Sequence, residues 1–216
     1  MVVETSTEVA TKNAVTVRRY IAEVAATLRG LPVQKIVEVT DVIEIARRTG
    51  HRVFVFGNGG SAATATHMAC DLSKGAIAEG SPRVKAISLC DNLSLFSAWA
   101  NDTAYENVFA EQLENLIEEG DVAVGISGSG NSRNVLKAIE VARDKGAVTI
   151  GFCGFDGGRL ATMVDIPLVV GNFCMEQVED VHLLLEHVVA TCLRGHRGPA
   201  RDSAVASKPE SSVAPR

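Results

Sequence analysis

After Gly50, short β-rich runs alternate with segments whose apolar residues recur at helical spacing. The predicted strands are residues 53–56, 84–89, 122–126, 148–152 and 166–170. The predicted helices between them are residues 62–72, 93–99, 105–117, 132–145 and 158–163. Because strand–helix–strand alternation favours parallel strands with helices on both faces, the sequence predicts an α/β fold with a doubly wound, five-stranded parallel sheet.

Helical periodicity extends to both sides of this alternating region. Residues 13–28 and 33–48 predict an N-terminal helical hairpin, and residues 175–193 predict a long C-terminal helix that is apolar around much of its circumference. That helix is buried either within one chain or between subunits, and the second case favours an oligomer. We expect a flexible N-terminus over residues 1–12, one domain over 13–194, and a disordered, polar tail over 195–216.

Composition bears on which partners the protein could bind and on the cellular compartment in which it is expected. The net charge of −5 over 216 residues gives no reason to expect binding to nucleic acid or to an anionic membrane. No apolar stretch reaches the roughly 18 residues of a membrane span, and the N-terminus does not have the pattern of a secretory signal. The five cysteines stand singly, which disfavours a disulfide framework and a cysteine-only zinc site. We therefore expect a cytoplasmic protein.

Two glycine-rich turns stand where predicted strands pass into helices. The first is residues 57–61 (GNGGS), and the second is residues 127–132 (SGSGNS). Glycine permits close approach of the backbone, and the first amides of a helix attract an anion, so both turns favour phosphate. The second turn adds serine hydroxyls, so no lysine is required. Glycine also serves tight turns for steric reasons alone, which leaves the other interpretation open for each turn by itself.

The spacing of the glycines argues against a nucleotide cofactor. Neither turn has the Walker spacing, and the first lacks the full G-x-G-x-x-G spacing of a dinucleotide-binding fold. Ligands of open α/β sheets bind beyond the carboxyl ends of the strands, where the strand order reverses. The turns after the first and third predicted strands are suited to that position, so we expect a small sugar phosphate there.

Side chains that could act on such a substrate lie on two predicted helices. His67 and Asp71 are four residues apart, so they form either a simple ion pair or one side of a shared metal or substrate site. His67 would lie about 10 Å along its helix from the first turn. The last helix interrupts its apolar surface with Glu176, Glu179, Asp180, His182, Glu186 and His187, which are either solvated or need polar partners where buried.

The last helix also limits which of its polar groups can act together. Glu179 and His187 lie about 12 Å apart along a regular helix, so their joint action on one atom is strained within one chain. That separation favours a contribution from a neighbouring subunit.

These motifs occur in the order seen in sugar isomerase (SIS) domains. The chain resembles that family, and most closely its phosphoheptose isomerase (D-sedoheptulose 7-phosphate isomerase) branch, over about residues 13–193. The resemblance is carried by GNGGS at 57–61, the pair His67 and Asp71, residues 100–102 (AND), residues 126–132, and residues 178–182 (VEDVH) with His187. It implies a flavodoxin-like SIS fold, an aldose–ketose isomerase that acts on a sugar phosphate through an enediol, and a homotetramer with its sites at subunit interfaces.

The resemblance also implies roles by position. It assigns substrate binding to Asn58, Gly59, Gly60, Ser61, Asp71, Asn101, Asp102, Ser127, Gly128, Ser129, Ser132 and Glu179. It assigns a divalent metal, taken here as zinc, to His67, Asp71, Glu179 and His187. Asp71 and His187 are the implied acid–base pair.

Several positions depart from the family pattern. Asp71 replaces a glutamate, Glu179 replaces a glutamine and Gly128 replaces a threonine. Met175 and Gln177 stand where the family has a threonine and an arginine before the last helix. Two imidazoles and two carboxylates still suit zinc, but a carboxylate that is one methylene shorter changes the geometry of proton transfer.

Two functions from different classes follow from this mixture. The retained His67 and His187 favour an enzyme that isomerises D-sedoheptulose 7-phosphate to D-glycero-D-manno-heptose 7-phosphate, since a binding module has no need of them. The departures favour a different sugar phosphate, or a non-catalytic SIS module that senses a phosphosugar or scaffolds a protein partner.

Overall fold

The sheet has the predicted parallel topology. The structure, a computed structural model, describes residues 6–195. Its five strands are β1 (Arg52–Gly57), β2 (Lys85–Ser88), β3 (Val122–Ser127), β4 (Val148–Gly154) and β5 (Ile166–Val170). They form one all-parallel sheet in the order β2-β1-β3-β4-β5. This is the doubly wound, flavodoxin-like order, so the predicted fold class is confirmed.

Helices precede, connect and follow the strands. They are α1 (Ser6–Arg29), α2 (Val33–Thr49), α3 (Gly60–Cys70), α4 (Leu93–Asp102), α5 (Ala110–Leu116), α6 (Arg133–Asp144), α7 (Leu160–Met163) and α8 (Met175–Leu193). The predicted N-terminal helical hairpin and long C-terminal helix are both present. A π-helical turn, Asp71–Gly75, continues α3. The single helix predicted over 105–117 is instead a 3-10 turn, Tyr105–Asn107, followed by α5.

The first helix begins earlier than the predicted residue 13. Residues 6–12, expected within a flexible N-terminus, belong to α1. Residues 10–19 are exposed throughout, so this part of the helix has no buried apolar stripe. The expected boundary depended on such a stripe, which is why it fell too late. Residues 1–5, and residues 196–216 of the predicted tail, lie outside the described residues.

The two faces of the sheet bury different helices. Val53 and Val55 of β1 pack in a cluster with residues of α2, α3 and α8, whereas Phe54 and Phe56 pack in a second cluster with residues of α5, α6 and α7. All four side chains are fully buried. Alternation of side chains along a strand thus supplies two cores, as expected for a sheet covered on both faces.

This arrangement brings the two glycine-rich turns together. Strands β1 and β3 are neighbours, and Gly57 at the end of β1 is in register with Ile126 of β3. The chain leaves β1 towards the α3 face and leaves β3 towards the α6 face. The turns therefore lie at the topological switch point, where ligands of such sheets bind.

Helix length and hydropathy bear on membrane insertion. Among residues 6–195, no helix combines the length and the apolar character that crossing a bilayer requires.

Candidate functional site

A cavity of about 250 Å³ lies between the two turns. It is lined by Asn58, Gly59, Gly60, Ser61, Ile126, Ser127, Gly128, Ser129, Ser132, Met175 and Glu179. Nine of these eleven were predicted to bind substrate, so the structure brings most of that set together. Ile126 and Met175 are the additions.

The serine-rich turn presents hydroxyl groups to this cavity. Ser127 Oγ and Ser132 Oγ are 3.1 Å apart, so one hydroxyl donates to the other. Ser132 precedes α6, but its side chain makes no hydrogen bond to the first turn of that helix. Ser129 Oγ accepts a hydrogen bond from the Asn131 amide at 3.2 Å. Hydroxyls at the amino end of a twelve-residue helix are a suitable site for an anion.

The side chain of Asn58 is already engaged with the protein. It donates to Asn134 Oδ1 at 2.9 Å, and its Oδ1 accepts from Asn134 Nδ2 and from the Tyr105 hydroxyl, each at 2.8 Å. These bonds tie the first turn to α6 across the switch point. The second N–H of the Asn58 amide and the main chain of the turn are left for a contact with a substrate.

Two side chains of α8 lie against glycines of the turns. A Cβ added at Gly60 would overlap the carboxylate of Glu179, and a Cβ added at Gly128 would overlap Met175 Sδ. Met175 thus occupies the space that the family threonine at position 128 would need. Among the described residues that line the cavity, Glu179 alone carries a charge, and it lies at the amino end of α3. Because that carboxylate repels a second anion, the cavity favours phosphate at the serine-rich turn instead.

A second group of polar side chains lies further along α3 and α8. His187 Nε2 is 3.7 Å from Asp71 Oδ2, so the structure brings the predicted acid–base pair together. His67 Nε2 is 3.4 Å from His187 Nε2 and 4.0 Å from Asp71 Oδ1. The two imidazoles are about half exposed, with 44% and 48% of their side-chain surfaces accessible, so the group opens to the outside.

Glu186 occupies the fourth position of this group, where Glu179 was expected. His67, Asp71, Glu186 and His187 each offer a ligand atom, and the four atoms lie within 4.8 Å of one another. Glu179 instead faces the cavity between the turns. His187 is the eighth residue after Glu179 and lies about 12 Å further along the helix, so the predicted set does not assemble within one chain.

Glu186 is fully buried, and its carboxylate has two imidazole rings as polar neighbours. Its Oε1 lies 3.2 Å from His187 Nε2 and 3.7 Å from His67 Nδ1, yet neither oxygen accepts a hydrogen bond from any described residue. Burial, with a smaller contribution from the charge of Asp71, raises the pKa of Glu186 to about 7. Both effects disfavour the carboxylate form.

The buried face of α8 was the signal for Glu186. Val178, Val181, Leu185 and Val189 form the apolar stripe of α8, and Glu186 falls within it, four residues after the buried His182. Burial lowers the pKa of His182 to about 4, so this ring is neutral near pH 7. His182 packs beside Phe152, with ring centroids 5.9 Å apart, and belongs to the core.

Two predicted substrate residues lie outside both groups. Asn101 and Asp102 are exposed at the end of α4, where Asn101 Nδ2 donates to Asp102 Oδ1 at 2.8 Å. Neither lines the cavity between the turns. The structure of one chain does not bring them to the other predicted residues.

Comparisons with known proteins agree with this architecture. The profile of the SIS domain family matches residues 19–154. The phosphoheptose isomerase of Aquifex aeolicus is 39% identical over 171 residues, which cover 79% of this chain and 89% of that protein. A probable phosphoheptose isomerase of Thermoplasma acidophilum is 38% identical over 176 residues, which cover 82% of this chain and 96% of that protein.

Solved structures give the same result. The phosphoheptose isomerase GmhA from Neisseria gonorrhoeae superposes with a TM-score of 0.74 at 30% identity, covering 88% of this chain and 98% of that one. A phosphoheptose isomerase from Francisella tularensis superposes with a TM-score of 0.73 at 27% identity over the same shares. The matched profile, the relatives and the topology agree, and the chain belongs to the SIS domain family, in its phosphoheptose isomerase branch.

Proposed function

We propose that this chain is an aldose–ketose isomerase that converts D-sedoheptulose 7-phosphate to D-glycero-D-manno-heptose 7-phosphate. Relatives at nearly 40% identity carry the name phosphoheptose isomerase. The observation that carries the proposal is the approach of His187 Nε2 to within 3.7 Å of Asp71 Oδ2, because an isomerase needs two proton-transferring groups at one place.

The pair suits enediol chemistry. One of the two groups removes the proton from the carbon beside the carbonyl, while the other donates a proton to the carbonyl oxygen. The enediol then receives a proton at the former carbonyl carbon, and the hydroxyl group on the neighbouring carbon loses its proton to become the new carbonyl group. The isomerisation is thereby completed without a change in composition. Asp71 and His187 are both partly exposed, so a substrate has access to them.

We propose that the serine-rich turn binds the phosphate. Ser127, Ser129 and Ser132 supply hydroxyl donors beside the amino end of α6. The carboxylate of Glu179 disfavours a phosphate at the first turn and instead suits the donor hydroxyls of the sugar.

A divalent metal fits the cluster that contains the acid–base pair, and we propose zinc. His67, Asp71 and His187 would hold it, since imidazole and carboxylate are ligands that zinc accepts. The buried, unbonded carboxylate of Glu186 beside them is what a cation would neutralise. When bound, such an ion polarises a carbonyl or orients hydroxyl groups. No nucleotide cofactor is part of the proposal.

We further propose a homotetramer whose sites are completed across subunits. The cavity between the turns and the pair formed by Asp71 and His187 lie about 12 Å apart along α8. The pair opens outwards beside a surface groove of about 420 Å³ that includes Leu183, Leu184 and Val188 of α8. An outward-facing apolar groove next to reactive groups supports a partner copy in that position. The five free cysteines support a reducing cytoplasm as the compartment.

The test is exchange of a carbon-bound proton with solvent deuterium, followed by NMR. Heptose, hexose and pentose phosphates are each incubated with the protein and with the His187→Gln variant. The proposal expects exchange and isomerisation of a heptose phosphate, with both lost in the variant while the oligomer stays folded. Binding without exchange of any sugar contradicts it and favours the phosphosugar sensor or scaffold instead. An unchanged rate in His187→Gln removes that residue from the mechanism.

A further inference from the structure

We propose that Glu186 is a direct ligand of the metal and completes a one-chain set with His67, Asp71 and His187. The inference rests on the proposed function only in taking this cluster as a metal site. It differs from the set implied by the family resemblance, in which the fourth position falls to Glu179.

The first argument is the environment of Glu186. Its side chain has no exposed surface, and neither carboxylate oxygen accepts a hydrogen bond from the described residues. A buried carboxylate without donors is strongly destabilising, so proteins rarely keep one unless a cation or another partner is bound there. The carboxylate points towards two imidazoles and not into the apolar core, which places that partner on the cluster side.

The second argument is distance. The contacts of His187 Nε2 with Glu186 Oε1, His67 Nε2 and Asp71 Oδ2 are 3.2, 3.4 and 3.7 Å. Four atoms bound tetrahedrally to zinc at about 2.0 Å lie roughly 3.3 Å from one another. The four side chains therefore need only small rotations to share one ion, and the half-exposed imidazoles have room for them.

The third argument is charge. Two carboxylates and two neutral imidazoles carry a total charge that a divalent cation cancels. Without a cation, the carboxylates of Glu186 and Asp71 are two like charges within one cluster. Glu179 does not fill this place within one chain, because its carboxylate lies against Gly60 in the cavity between the turns.

The experiment measures zinc binding by the metal-stripped full-length protein in competition with a chromophoric chelator, without any sugar. Glu186→Gln keeps the shape and removes the charge, and Glu179→Ala removes the rival carboxylate seven residues earlier on the same helix. The proposal expects the affinity for zinc to fall at least about tenfold in Glu186→Gln and to change less than about twofold in Glu179→Ala. Loss of affinity in Glu179→Ala with none in Glu186→Gln overturns it.

Thermal unfolding separates a ligand from a merely structural side chain. Zinc raises the Tm of a protein that binds it only in the folded state. The Tm of metal-free Glu186→Gln should equal or exceed that of the parent, because a buried charge is removed, and the rise produced by zinc should shrink. A changed Tm of the metal-free variant with an undiminished rise on adding zinc contradicts the proposal.

A structure of the zinc-loaded parent protein decides the matter without any variant. We expect a Glu186 oxygen at about 2.0–2.2 Å from the ion. A Glu186 carboxylate that only accepts a hydrogen bond from His67 Nδ1 overturns the proposal. Zinc binding that depends on Glu186 with no exchange of any sugar leaves this inference standing and refutes the isomerase, whereas exchange with zinc binding independent of Glu186 does the reverse.

Discussion

Asp121 and Glu186 are both buried carboxylates, but they have opposite surroundings. Asp121, which directly precedes β3, is 1% exposed and accepts hydrogen bonds from the main-chain amides of Arg52 and Glu118 at 2.8 and 2.9 Å. The Arg52 side chain adds donors at 3.0 and 3.1 Å. Glu186 is just as buried and accepts none from the described residues.

The difference separates a structural role from a functional one. Asp121 links the start of β1 to the start of β3, at the amino-terminal ends of the strands, opposite the glycine-rich turns. Both of its carboxylate oxygens accept hydrogen bonds from main-chain amides, and the Arg52 side chain adds a charge, so the folded chain alone stabilises this carboxylate. Glu186 lies on the helix that borders the candidate site. The rings of His187 and His67 approach its carboxylate to 3.2 and 3.7 Å without a hydrogen bond, so the described chain stabilises its charge less well than that of Asp121.

Removing the charge of Asp121 should have the largest effect. In Asp121→Asn the side-chain NH₂ group replaces one acceptor oxygen, so it faces N–H groups that also donate. The Arg52 guanidinium also loses its buried, charged partner. We expect the free energy of unfolding to fall by about 3–5 kcal/mol, measured by urea denaturation. The exposed Glu140 on α6 supplies the control, since Glu140→Gln should stay within about 0.5 kcal/mol of the parent. A loss below about 1 kcal/mol in Asp121→Asn would mean that its bonds are not structural.

At Glu186 the charged form should be the destabilising one, in contrast to Asp121, and this should appear in the pH dependence of the stability of the metal-free protein. Burial and then Asp71 raise its pKa from 4.5 to about 7, so the folded state binds more protons than the unfolded state between these values. Stability from the neutral carboxyl is therefore complete below about pH 4.5 and is lost as the pH rises through 7, by up to about 3 kcal/mol.

The check is a series of urea titrations from pH 4.5 to 8 in the presence of a chelator. Glu186→Gln does not titrate, so the difference in stability between it and the parent isolates this carboxyl from the neighbouring histidines. The variant should gain on the parent as the pH rises. Parallel curves for the two proteins would show that Glu186 has an ordinary pKa and a partner that the structure does not reveal.

The sequence predicted the fold better than the site because the two depend on different signals. Strands β1 to β5 are apolar runs bounded by glycine and polar turns, a local pattern that a single sequence displays. The break between Tyr105–Asn107 and α5 depends on packing against α6 and the first turn, through bonds such as Tyr105 to Asn58, and has no such local pattern. The start of α1 was missed because an exposed helix has no apolar stripe.

For the site, the two turns were visible because their glycines and serines are contiguous. The meeting of Asp71 and His187 was not a consequence of spacing: it was implied by the family resemblance and requires α3 and α8 to pack side by side. Glu186 was passed over because charged residues are usually exposed, although its place on the apolar stripe of α8 indicated burial. A charged residue on a buried stripe is the signal that could have found it.

The smallest effect is expected for Arg52→Met, which tests how the chain stabilises Asp121. The variant removes the guanidinium but keeps the main-chain amides of residues 52 and 118, which still donate to both carboxylate oxygens. We expect a loss of about 1.5 kcal/mol in the same urea experiment, near the lower end for a hydrogen bond to a charged group. Because main-chain amides alone would then stabilise a buried carboxylate, the decisive contrast is that no described main-chain amide donates to Glu186. A loss as large as that of Asp121→Asn would instead show that the Arg52 guanidinium is what stabilises Asp121. Glu186 would then differ from Asp121 only because its cation, the proposed metal ion, comes from solution.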